Sequence, residues 1–205
     1  MYVIIIILIV VLLIAAIFIN AIQQHRQKQE AERRAELAKQ KTIVDETENV
    51  LSACTNMPVS SRIIGILHNR MANALKAIDS IAPTRDVKQR IESSKQAADA
   101  SLQTDGSDNV DFVLPDNDKT IIQYIQAVKK LRVLLRSEHS KGHVGSKLFS
   151  EEDKQLERLQ VKVNVETLIK RGRTAQSSNM LGSARQYFEK AKIALENQTN
   201  HDEYV

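Results

Sequence analysis

Few residues in this chain have types that could do chemistry: five aspartates from Asp105 to Asp118, His139 with His143, the single Cys54, and His68. The aspartates sit in TDGSDNVDFVLPDND and invite calcium binding. An EF-hand loop needs oxygens at positions 1, 3 and 5, Gly at 6 and Glu at 12. Here Asp105, Asp108 and Asp111 are three apart, Gly106 follows Asp105 directly, and the segment holds no Glu. A loop ending in a helix N-cap, Asp116 or Asp118, accounts for them instead. His139 and His143 are four apart, but Lys141-Gly142 interrupts the helix that would align them, and zinc needs further ligands. Cys54 lies on an apolar stripe, which makes it a core residue rather than a reactive thiol. His68, beside Asn69 and Arg70, has no evident acid–base partner in the sequence. With no Walker-type loop, no G-x-S-x-G and no zinc pattern, neither an enzyme nor a bound cofactor or metal is expected.

The elements that carry these residues are helical. Six Gly, three Pro and 4% aromatics in 205 residues leave few turns or strands. From Tyr2 to Ile19 every residue is apolar or aromatic, and no charge precedes Arg26. As a helix this run is roughly 27 Å long, close to the thickness of a bilayer core. Its aliphatic residues favour insertion by on the order of 5–9 kcal/mol. A cleaved signal peptide fits poorly: the core is too long, and Ile19-Asn20-Ala21 is a weak cleavage site. Residues 1–22 are therefore expected to be a transmembrane anchor that contacts lipid through residues 2–19. Arg26, Lys28, Arg33, Arg34, Lys39 and Lys41 follow the span and none precedes it, so the C-terminal body is expected in the cytoplasm and the N-terminus outside.

Residues 23–41 contain no Gly or Pro and form a polar juxtamembrane helical stalk, either a solvated spacer or a short coiled coil. A helical bundle follows over 42–103. Its stripes run from Ile43 to Met57, from Ile63 to Ile81 after a Ser60 or Ser61 cap, and more thinly from Val87 to Leu102. Residues 104–117 are the acidic loop. The helical region 118–197 opens with a helix to about His139, whose basic flank is Lys129, Lys130, Arg132 and Arg136. Ser150-Glu-Glu-Asp153 then looks like the start of the next helix, with a hydroxyl cap and acids in its first turn. Asn179 to Gly182 is a turn before the last helix, and 198–205 is a flexible polar tail.

Leu168, Gly172, Ala175, Asn179, Leu181, Ala184, Phe188 and Ala191 carry a pattern that resembles one tetratricopeptide repeat. The resemblance covers about 34 residues near the C-terminus. Leu168 replaces the usual aromatic, Glu196 stands where Pro often closes the unit, and no second unit is visible upstream. The resemblance implies an αα-hairpin packed through Leu168, Gly172, Ala184, Phe188 and Ala191. It also implies partner contacts on the inner face of the first helix, at Glu166, Ile169, Arg173 and Gln176.

The expected fold is thus all-α: one N-terminal transmembrane helix, a polar helical stalk and a bundle ending in the tetratricopeptide-like hairpin. The expected function is that of a single-pass membrane-anchored cytoplasmic adaptor that positions an unidentified protein partner through helical surfaces. The alternative is an oligomerising structural membrane protein in which the partner is a second copy. A net charge of +4 and a basic helix flank without aromatic platforms fall short of a nucleic-acid signature.

Overall fold

In a computed structural model of the chain, residues 2–55, 57–103, 115 and 117–197 are described, with side chains placed at all of them except 3–17, 102–103 and 118. The acidic segment 104–114, Asp116 and the tail from 198 lie outside the described residues. Those that are described form six helices and no strand: α1 (Tyr2–Cys54), α2 (Ser61–Ile81), α3 (Arg85–Gln103), α4 (Asp118–Ser140), α5 (Ser146–Ser177) and α6 (Leu181–Glu196). The protein is all-α. Among the described residues no helix is long and apolar enough to cross a membrane. The side chains at 3–17, on which the anchor expectation rests, are outside that description.

α1 runs 53 residues without a break, so it crosses the expected stalk–bundle boundary at 41/42 as a single helix. α2 packs antiparallel to α1, and this pairing reaches back into the stalk. There the Arg33 guanidinium donates to the Ile81 carbonyl at 2.7 Å and satisfies the last turn of α2. Val44 meets Met71, Leu75, Ile78 and the Ile91 side chain of α3, forming one apolar cluster. Farther along α1, Val50 and Cys54 join Ile63, Leu67, Leu131, Leu135 and Leu156 in a second. Cys54 is 3% exposed, and burial pushes its thiol up to about 12, as befits a core residue. A third cluster sets Met57 against Tyr124, Val128, Leu159 and Val163. These contacts make α4 antiparallel to α1, and α5 antiparallel to α4.

Helix ends differ from expectation in two places. Asn117, not Asp116 or Asp118, caps α4, its side chain accepting from the Lys119 N–H at 3.0 Å. An amide oxygen at the residue just before the helix reaches the N2 donor as well as a carboxylate does. α5 starts at Ser146, one turn before Ser150, with Gly145 as cap and no side-chain capping bond. Leu148 and Phe149 pack on the second cluster and the Phe149 ring stacks on His139, 4.4 Å between centroids, which draws that extra turn into the helix. Ser60 does cap α2, accepting from Arg62 N–H at 3.1 Å. α4 ends in a Schellman turn: Gly142, at φ +77°, donates to the His139 carbonyl and His143 to the Glu138 carbonyl.

Candidate interaction surface

The charged residues inside the bundle are the first place to look for chemistry. Arg70 is 7% exposed on the buried face of α2, and Glu138 is 2% exposed near the end of α4. Arg70 donates to Glu138 at 2.7 Å, to Glu46 at 3.2 Å and to the Thr47 hydroxyl at 3.2 Å. Lys141 at 2.8 Å and His143 Nδ1 at 2.7 Å complete the coat around the Glu138 carboxylate. Burial alone would raise its pKa, but the hydrogen bonds from His143, Lys141 and Arg70 outweigh it and hold the group below the ordinary range. The three Arg70 bonds tie α1, α2 and α4 together, and the charges face each other rather than an open cleft. The cluster is structural.

Glu152 is different. It is 1% exposed, takes the Ser60 hydroxyl at 3.2 Å through Oε1, and leaves Oε2 without a hydrogen-bond partner. Burial is the main influence and raises its pKa. The His68 ring and Asp79 also hold one unpartnered buried atom each, and burial lowers the His68 pKa. Among the described residues no group of three or more His, Cys, Asp or Glu could hold a metal. His139 Nδ1 lies 2.9 Å from the Val144 carbonyl, and His143 is spent on Glu138.

The basic flank of α4 is also largely committed. Lys130 pairs with Glu46 at 3.4 Å, Arg132 with Asp153 at 2.9 Å, and Arg136 with Asp153 at 3.6 Å. The Arg132 hydrogen bond is the main reason the Asp153 carboxyl lies below its ordinary range. This flank is a seam between helices. It is not a free basic strip.

The open surface lies elsewhere. The first half of α5 is buried against α4. Lys170 donates to the Pro115 carbonyl at 3.2 Å, ahead of the α4 start, so the rest of α5 runs past α4. α6 folds back on that half through a tight turn in which Asn179 takes φ 58°. Met180 N–H donates to the Ala175 carbonyl and Asn179 N–H to that of Gln176, closing α5 with the same Schellman arrangement. Gly172 is buried at the crossing: a Cβ there would lie 2.6 Å from Phe188 Cε1. Ala184 and Ala191 are buried beside it, Phe188 remains 37% exposed, and Leu168 is half-buried. Small residues thus let the two helices approach, at the cost of a thin interior.

Of the four residues implied as partner contacts, Glu166 and Ile169 are half-buried, and Arg173 and Gln176 are exposed. Gln176 lines a groove of about 500 Å³ between the helices with Leu181, Ala184, Arg185, Phe188, Glu189 and Lys192. A second groove of about 450 Å³ lies between α1 and α4, with Asn49, Gln123 and Gln126 over Val50, Ala53 and Ala127.

The buried charges were missed by a reading that followed apolar stripes. The signal was there: Arg70 sits three after Leu67 and four before Ala74, and Glu138 sits three after Leu135. A charge on a core stripe demands a partner, and these two answer each other. Compared with known proteins, the chain matches no family model, no curated protein and no solved structure.

Proposed function

We propose that this chain is a membrane-anchored adaptor whose α5–α6 arm takes a segment of a partner protein. In this reading residues 2–19 sit in lipid, the basic residues that follow hold the body in the cytoplasm, and α1 carries the body as a direct extension of the anchor. The arm behaves as a tetratricopeptide-like hairpin, with Arg173 and Gln176 as its accessible contacts and Glu166 and Ile169 contributing from their half-buried positions. One observation carries the reading. The groove between α5 and α6 is open and part apolar, on an arm that runs beyond the bundle, whereas the buried Arg70 and Glu138 are spent on each other. Tethering raises the local concentration of partner and body, so a small groove suffices.

The test is proximity labelling from the intact chain in cells, compared with an Arg173→Ala/Gln176→Ala variant. The expected result is a short set of cytoplasmic neighbours whose labelling falls about tenfold in the variant, while the chain itself resists alkaline extraction from membranes. An unchanged neighbour set would remove the groove from the mechanism. Extraction of the intact chain into the soluble fraction would remove the anchor.

A further inference from the structure

α6 carries a second exposed feature, a ridge that starts beside the α5–α6 groove and winds around the helix away from it. Leu181, Arg185, Glu189 and Ile193 are spaced by four and so form one continuous ridge of the helix. All four are exposed, with Leu181 at 64% and Ile193 at 48%. Among the described residues neither Arg185 nor Glu189 has an ion-pair partner. Two exposed aliphatic side chains at the ends of a ridge, with opposite charges between them, form a pattern that reads the same after a half-turn. The second copy's ridge, laid antiparallel, sets Leu181 against Ile193 and Arg185 against Glu189, each contact made twice. A parallel arrangement would set Arg185 against Arg185 and Glu189 against Glu189, so the charges select the antiparallel one.

We propose that this ridge is a self-association surface, and that two copies of the chain pair through antiparallel α6 helices about a two-fold axis between Arg185 and Glu189. Ridges of this spacing pack into one another at an angle of about 50°. A single helix crossing lies below the size of a stable interface, so the pair is weak in dilute solution and gains from confinement of both copies on one surface. Leu181, Arg185 and Glu189 also line the α5–α6 groove, so a second copy on this ridge and a partner segment in the groove exclude one another, and sedimentation of the purified chain reads the first without the second.

The experiment uses the full-length chain in detergent solution, with association followed by sedimentation up to about 100 μM. The wild type is expected to show reversible dimerisation. Arg185→Glu places like charges opposite each other at two symmetric points and is expected to weaken the dimer about tenfold. The double variant Arg185→Glu/Glu189→Arg restores both pairs and is expected to return to within about twofold of wild type. Both substitutions fall on exposed side chains without partners, so helix content and melting are expected to stay the same. A dimer indifferent to Arg185→Glu, or a double variant as weak as the single one, overturns the proposal. A monomeric wild type overturns it too. If Arg185→Glu then abolished labelling of a different cellular protein, the ridge would belong to that protein instead of a second copy.

Discussion

Arg70 and Glu138 occupy positions where the apolar stripes of α2 and α4 would otherwise continue, and each is affordable only because the other is within 2.7 Å. Glu152 has no such full complement. Its carboxylate accepts one hydrogen bond, from the Ser60 hydroxyl, Arg62 stands 3.9 Å off, and Oε2 has no hydrogen-bond partner. A buried carboxylate of this kind favours its neutral form. Folding therefore raises its pKa above the ordinary 4.5, and stability falls as pH rises from 4.5 through the folded value. Glu138 works in the opposite sense: its folded pKa is lowered, so its contribution is present above 4.5 and lost as pH falls through the folded value. The wild-type curve mixes the two, and a single substitution separates them. Glu152→Met is expected to stabilise the full chain by about 1–2 kcal/mol at pH 7, since a flexible apolar side chain replaces an incompletely paired charge. The gain should shrink below pH 4.5, where wild-type Glu152 is already neutral. Thermal melts of both chains across pH 4 to 7 measure it, and a pH-independent difference would contradict the account.

Among the elements, α5 and α6 show how one small residue sets a crossing. Replacing Gly172 by Ala brings the helix about 1 kcal/mol of propensity. It also drives a methyl to 2.6 Å from the Phe188 ring, an overpacking that costs about 1–3 kcal/mol. The net change in stability is expected to be unfavourable by about 1 kcal/mol. In a Phe188→Ala background the obstacle is gone, and the same Gly172→Ala change should stabilise by up to about 1 kcal/mol. Melting of the four chains of this cycle reads the change of sign. The crossing was legible in the sequence because Ala184, Phe188 and Ala191 share one face of α6 at helical spacing and Gly172 offers that face a gap on α5. The starts of α4 and α5 were less legible. Ser150 with Asp153 has the local chemistry of a helix start, but Leu148 and Phe149 find tertiary contacts that extend the helix backward, and Asp153 turns instead to Arg132. Arg70, Glu138 and Glu152 were illegible to a search for motifs, because their spacing is that of the core itself and their partners lie far along the chain.

For the whole molecule, the continuity of α1 has the largest consequence. Under the proposed anchoring, a loose tether at residues 23–41 would let the body roam over the membrane. A single helix from Tyr2 to Cys54, with α2 docked on it from Arg33 onward, leaves only residues 20–32 between the end of the apolar run and the body. Helix propensity in that interval is high, with Ala, Gln, Glu, Lys and Arg and no Gly or Pro, so nothing there invites a kink. If residues 2–19 sit in lipid as proposed, the body is held at a set height and rotation relative to them, and the α5–α6 arm is presented in one direction. Spin labels at Ala21→Cys and Asp45→Cys, in a Cys54→Ala chain reconstituted in lipid, bracket the interval. A straight helix between them predicts a narrow distance distribution centred near 36 Å, from 24 residues at about 1.5 Å each. Lys28→Pro, which removes a backbone donor and clashes with the preceding turn, should shorten and broaden it. A broad distribution in the unsubstituted helix would mean that the anchor and the body move independently. The arm would then gain the concentration effect of tethering but none of the orientation.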